Sequence, residues 1–207
     1  MRGYVVYDLE MCRVPKGEPR DQFGSASELI QIGAILLDEN YNEIDSFMTY
    51  VKPEYGALDK FITDLTGITE EDIRSAPCSP EAISDFVDWI PEDAVLVSWS
   101  GNDEAQMYRE MDGKGIDNPR LEDLLYDSID CQMEFENRID ASHPYALAEA
   151  LAITGIDCDT AIHDALVDAR NTALLFAKME REPVLEMSKY YMSESDMNSF
   201  FKGNRRS

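Results

Sequence analysis

Tyr4-Val5-Val6-Tyr7-Asp8-Leu9-Glu10 carries β-prone residues into an acid-X-acid pair almost at the first residue of the chain. Side chains alternate along a strand, so Asp8 and Glu10 share one face. Two carboxylates held that close repel unless something positive lies between them. A divalent cation suited to hard oxygen ligands, magnesium or manganese, is the simplest candidate. The alternative is a strand that ends in solvated acids, an ordinary outcome in a chain with 42 Asp and Glu. The remainder of the sequence has to decide between the two.

The 207 residues, 44% of them hydrophobic, suffice for one core and one domain. No apolar run approaches the roughly 20 residues that a membrane-spanning helix needs. A strand candidate that begins at Gly3 leaves no room for a signal peptide, so the expected compartment is the cytoplasm. Cys12, Cys78, Cys131 and Cys158 stand apart with no C-x-x-C pairing, which disfavours a zinc knuckle or a disulfide framework and reads as reduced thiols. A formal net charge of −24 argues against holding long nucleic acid by general electrostatics, because that affinity comes from Lys and Arg neutralising phosphates. A nucleic-acid substrate would be held locally. Arg13, Lys16 and Arg20, in a Pro/Gly-rich segment that reads as a loop directly after Glu10, are the basic residues placed to do it.

Residues 29–37 are nearly continuous in apolar character, as a central strand is. Asp38 to Asn42 makes a turn, and residues 43–52 alternate as a third, antiparallel strand. Residues 58–90 read as short helices: Gly67 stops one, Thr69 caps the next, and Ser79-Pro80 opens another. In that last helix Ile83, Phe86, Val87 and Ile90 recur at helical spacing, and Trp89 reads as core rather than a platform for bases. A buried strand at 94–97 runs into Asn102 and Asp103, a strand-to-helix junction where open α/β sheets place their chemistry. Asn and Asp also favour helix starts for capping alone. Residues 121–131 are expected as a fifth strand with Leu124, Leu125 and Ile129 apolar, and 145–153 as a helix with Leu147, Ala148 and Leu151 inward. His143, in the loop ahead of that helix, reads as structural.

The most specific local signal is Ala161-Ile162-His163-Asp164-Ala165-Leu166-Val167-Asp168, leading into a long helix through about Lys178, in a chain with only 2 histidines. A five-residue step turns a helix by roughly 140°, so His163 and Asp168 cannot share a face inside one regular helix. His163 is therefore expected in the entering loop and Asp168 one turn inside. The alternative for Asp168 is an acid favoured by the helix dipole.

Asp8-Leu9-Glu10, Asp103 after a strand, and His163-x-Ala165-x-x-Asp168 resemble the three motifs of DnaQ-like 3′–5′ exonucleases of the DEDDh type, in order and in spacing. The resemblance covers roughly residues 4–180 and includes Leu65-Thr66-Gly67-Ile68-Thr69. The Asp8 to Cys12 run and Trp99-x-x-x-Asp103 are most similar to KapD-like bacterial proteins and their eukaryotic RNA-processing relatives.

The resemblance implies an α/β, RNase H-like fold, a mixed five-stranded sheet flanked by helices, with an exonuclease domain over residues 1–182. It implies two divalent cations, Mg2+ or Mn2+, held by Asp8, Glu10, Asp103 and Asp168. Asp8 would bridge both ions, Glu10 and Asp168 would complete the first, and Asp103 would act through water on the second. His163 would be the general base. Leu9, Met11 and Asn102 would approach the terminal nucleotide. There Met11 and Cys12 replace the family's usual Thr-Thr or Ala-Thr, and Asn102 replaces its usual Phe.

The implied activity is release of nucleoside monophosphates from single-stranded or short 3′ ends, with RNA favoured by the subgroup. A DNA trimming or proofreading exonuclease, or an inactive binding scaffold, are the alternatives. Residues 183–207 are expected as a further helix carrying Val184, Met187, Tyr190 and Tyr191, ending in a basic tail. Packing on the domain is its default, and a homodimer is left open.

Overall fold

Both faces of the first strand are covered, and this sets the layering. The computed structural model describes residues 3–157 and 163–188. Its strands are β1 (Tyr4–Arg13), β2 (Ser27–Leu37), β3 (Glu43–Tyr50), β4 (Val95–Ser98) and β5 (Ile129–Asp130), in the order β3-β2-β1-β4-β5. β1, β2 and β3 pair antiparallel, while β4 lies parallel to β1 and β5 parallel to β4. This is the expected mixed five-stranded sheet.

The helices are α1 (Glu18–Phe23), α2 (Lys60–Thr66), α3 (Glu70–Arg74), α4 (Ser79–Trp89), α5 (Gly101–Lys114), α6 (Pro119–Tyr126), α7 (Cys131–Ile139), α8 (Leu147–Thr154) and α9 (Ala165–Arg181). Val5, Tyr7 and Leu9 of β1 pack with Ile83 and Phe86 of α4 and Met107 of α5. Val6, on the opposite face, packs with Phe135 of α7, Leu151 of α8 and Phe176 of α9. Alternation along one strand thus supplies two cores. Each fully buried Phe or Ile in them contributes about 1.5–3 kcal/mol. A third cluster, Cys12 and Ile30 with Ile62, Ile68 and Ile73, seats α2 and α3 beside the carboxyl end of β1. Gly67 ends α2 with φ 75°, and Thr69 and Asp72 close a capping box on α3, as their residue types dictate.

A buried charge cluster ties α5 to β2. Lys114 Nζ lies 2.7 Å from Glu28 Oε1 and 2.9 Å from Glu110 Oε2, all three side chains being buried. Glu28 also accepts the backbone N–H groups of Glu54, Tyr55 and Gly56.

Several expectations are corrected. Residues 119–126 form α6 rather than a strand, because Asn118 Oδ1 accepts the Leu121 N–H at 3.0 Å and Pro119 occupies the first turn. Leu121 and Leu125 are one helical turn apart and both face the core, and only Ile129–Asp130 pairs with β4. Arg13 is not in a loop: after a bulge at Glu10/Met11 the strand pairs again, Met11–Arg13 against Leu29–Ser27. Arg20 lies in α1, started with Pro in its first turn and stopped by Gly24 at φ 80°. In α8, Ala148 is exposed and Ala150 and Leu151 face inward. Residues 184–188 are not helical: Val184 is exposed, Leu185 packs on the α9 side, and the Ser188 N–H donates to Ile153 O at 2.6 Å. Cys158, Ala161, Ile162 and the remainder of the tail lie outside the described residues, and Cys12, Cys78 and Cys131 are free thiols. Among the described residues no helix is long and apolar enough to cross a membrane.

Candidate active site

β4 pairs with β1 only along Tyr4–Val6 and ends at Ser98, which leaves the carboxyl end of β1 open on that side. There the chain turns into α5. Ser100 is its N-cap, accepting from Asn102 N at 3.4 Å, so Asp103 is released from capping. The Asp103 side chain turns back toward β1 and accepts the Leu9 N–H, and the residue is 7% exposed. Leu9 sits between Asp8 and Glu10, so this bond sets Asp103 against the acid-X-acid pair.

The third component arrives on α9, whose N-terminus lies across β2. Asp164 is its N-cap, with Oδ1 accepting from Leu166 N at 3.0 Å and Val167 N at 3.1 Å. The Asp168 N–H then donates to Asp164 O at 2.9 Å, which puts Asp168 one turn inside the helix, as its spacing requires. His163 stands in the entering bend, its side chain 61% exposed, with Nδ1 3.7 Å from Asp168 Oδ2. Ligand atoms of Glu10, His163 and Asp168 all lie within 4.8 Å of one another, a spacing that one cation can span.

Burial and mutual repulsion among the carboxylates dominate the electrostatics of the cluster. Burial, then Asp103, Glu10 and Asp168, hold the Asp8 carboxyl well above the usual carboxylate range. Burial, then Asp168 and Asp103, push Glu10 up to about 8. Burial raises Asp103 to about 7 against the opposing Leu9 hydrogen bond. Asp168 is raised by burial, while His163 and a hydrogen bond from Asn171 pull the other way. Crowded, partly desolvated carboxylates with an open face are a donor set that fits hard divalent cations.

The residues expected around a substrate are distributed unequally. Leu9 is 4% exposed and packs with Val5 and Tyr7 on the other face of β1. Met11 is half-buried beside the same cluster. Arg13 is exposed, with its guanidinium 4.5 Å above the ring of exposed Phe61 and 3.7 Å from Asp59. Lys16 and Asn102 are exposed, whereas Arg20 is half-buried and donates to Val14 O at 2.6 Å. His143 stacks on Tyr145 with ring centroids 4.6 Å apart.

Sequence reasoning missed Gln31, Gly33 and Asp164. Gln31 is paired with Glu10 and Gly33 with Asp8 in the β1–β2 register. A polar residue and a glycine inside an apolar central strand were the available signal, since glycine there marks a close backbone approach.

A family model described as Exonuclease matches residues 5–176. The chain belongs to the exonuclease family. It is 30% identical over 184 residues to ERI1 exoribonuclease 2 of Danio rerio, covering 77% of this chain and 32% of that protein. It is 29% identical over 177 residues to the PolC-type DNA polymerase III of Caldanaerobacter subterraneus, covering 85% of this chain and 11% of that one. The chain therefore spans a third or less of the length of these exonuclease-family relatives.

Among solved structures, the nuclease domain of 3′hExo, a DEDDh family member bound to rAMP, superposes with a TM-score of 0.71 at 20% identity. That match covers 90% of this chain and 96% of the other. E. coli exonuclease I in complex with a dT13 oligonucleotide gives a TM-score of 0.64 at 15% identity, covering 99% and 44%. Both are likenesses of fold.

Proposed function

We propose that this protein is a metal-dependent 3′–5′ exonuclease that releases nucleoside monophosphates from short or single-stranded 3′ ends. The observation that carries the reading is the convergence of Asp8 and Glu10 from β1, Asp103 from α5, and His163 and Asp168 from the start of α9 at one open strand end. Asp8, Glu10, Asp103 and Asp168 would hold two divalent cations, Mg2+ or Mn2+. When bound, these supply a nucleophilic water near neutral pH and stabilise the leaving 3′ oxygen.

The chain's own residues do the rest. His163 is exposed at the mouth, and an imidazole placed there is suited to take the proton of the attacking water. Asp168 lies close enough to bias the orientation of that imidazole. Arg13 over Phe61, three residues beyond Glu10, offers a guanidinium and an aromatic face to the nucleotides upstream of the scissile bond. With a net charge of −24 the strand would be released after each cut, because processivity needs a basic groove along the backbone.

RNA is the favoured substrate, supported by the exoribonuclease relatives. DNA trimming or proofreading is the second reading, supported by the PolC-type polymerase relatives. The test is degradation of 5′-labelled single-stranded RNA and DNA of matched sequence with manganese, magnesium or chelator, beside Asp8→Ala. A metal-dependent ladder shortening from the 3′ end, absent in the variant, is the expected result, faster on RNA. No cleavage with any metal would overturn the enzymatic reading, and faster cleavage of DNA would select the second.

A further inference from the structure

We propose that Gln31 and Asp164 form a positioning pair whose single permitted hydrogen-bond orientation sets where His163 and Asp168 stand relative to Glu10. The inference rests on the metal-dependent reading above and concerns residues that neither touch substrate nor hold the ion. Gln31 is fully buried on β2 and directly opposite Glu10 in the sheet, so the ladder ties its backbone to that of Glu10. Its side chain reaches across to α9. Oε1 accepts the Ala165 N–H at 3.0 Å, and Nε2 donates to Asp164 Oδ2 at 3.1 Å.

The two ends of this amide cannot be exchanged. Ala165 N–H can only donate and an ionised Asp164 can only accept, so a glutamine satisfies both in one orientation and in no other. A glutamate would offer two acceptors, and an aliphatic residue would leave a buried N–H unpaired. Asp164 is equally committed. Its Oδ1 receives Leu166 N and Val167 N of α9 while Oδ2 receives Gln31 of β2, so both oxygens are engaged by donors of the protein.

Gly33 controls how closely α9 approaches β2, since a methyl group there would overlap the Ala165–Leu166 peptide. Close approach sets the distance between helix and sheet. The Gln31 bonds to Asp164 and Ala165 fix the position of the first turn of α9, between His163 and Asp168 in sequence. They thereby join the third motif to the first through one side chain.

A charge-swap cycle tests this. Asp164→Asn keeps an oxygen for capping but turns an amide N–H toward Gln31 Nε2, and flipping Gln31 only moves the donor–donor conflict to Ala165. Gln31→Glu sets two carboxylates face to face. In the double variant an acceptor at 31 meets both Ala165 N–H and the new amide at 164, restoring every bond with net charge unchanged.

Each single variant is expected to lose about 10–100-fold in kcat and in calorimetric Mn2+ affinity, with KM within about threefold of wild type. The double variant is expected to return to within about threefold in both readings, a coupling that independent sites do not show. Folding is followed by far-ultraviolet circular dichroism. If Gln31→Glu fails to fold alone while the double variant folds and binds Mn2+, the coupling is equally demonstrated. Singles with wild-type kcat and Mn2+ affinity, or a double variant no better than the worse single, would overturn the pair. A wild-type protein that neither binds Mn2+ nor cleaves would remove the metal-dependent reading itself, a different result.

Discussion

Gly33 and Ala165 meet backbone to backbone: a methyl group on Gly33 would overlap the carbonyl of Ala165 and the amide nitrogen of Leu166. Gly33 is the residue paired with Asp8 across β1 and β2, so this backbone-to-backbone approach of α9 to the sheet occurs beside the first carboxylate. The third motif reaches the first because a strand residue there has no side chain.

Gly33→Ala is therefore expected to push the start of α9 off the sheet. Backbone offers no rotamer escape, so the cost should lie in the overpacking range of about 1–3 kcal/mol. Urea unfolding should show the destabilisation. Nuclease activity measured well below the midpoint should fall much further, since Asp168 and His163 ride on the displaced turn.

His163 and Asp8 should separate by what each variant loses. His163→Ala is expected to retain Mn2+ binding while kcat falls by about 10²–10⁴-fold, the usual worth of a general base. Asp8→Ala should lose both. Calorimetric titration beside single-turnover cleavage decides it, and equal metal loss in the two variants would make His163 a ligand, an arrangement its distance to Glu10 and Asp168 allows.

The metal-free protein should have an inverted acid response. Glu10 is raised from 4.5 to about 8 and Asp103 from 3.8 to about 7 in the folded chain. Between the unfolded and folded values the folded state holds more protons than the unfolded one. Stability is thus greatest below the unfolded values of 3.8 and 4.5 as far as these groups are concerned, and falls as pH rises toward 8, by at most about 1.4 kcal/mol per pH unit for each proton. Melting in chelator from pH 5.5 to 8.5 should show a falling midpoint, and added Mn2+ should raise the midpoint most at the alkaline end. A midpoint that rises with pH in chelator would contradict the crowded-carboxylate description.

Lys114 is expected to matter for folding rather than chemistry. Lys114→Met leaves Glu28 and Glu110 buried without their cation, and breaking such a cluster costs about 3–5 kcal/mol. Equilibrium denaturation measures it. The residual folded fraction should cleave at the wild-type rate per active site, because the cluster lies at the far end of α5 from Asp103.

Local chemistry in the chain was sufficient for much of this architecture. Alternation placed Asp8 and Glu10 on one face, the five-residue step put His163 outside α9 and Asp168 within it, and Gly67 and Thr69 marked their helix ends. Those readings depend only on near neighbours. Leu121 to Leu125 was misread because a short apolar run is compatible with either period, and the deciding contacts, Asn118 capping and a shared core face, are three-dimensional. Arg13 was placed in a loop because strand length depends on the partner strand, and only the register of β2 beyond the bulge extends β1 that far.

What the sequence determined alone was the identity and order of the candidate site's carboxylates and histidine, since those are carried by residue type and spacing. Their convergence belonged to the tertiary structure. The Leu9 N–H that draws in Asp103, the bare backbone of Gly33 beneath Ala165 and the Gln31 amide on Asp164 join residues up to 133 positions apart. Such bonds have no local signature, because a hydrogen bond between distant segments is decided by the packing that brings them together.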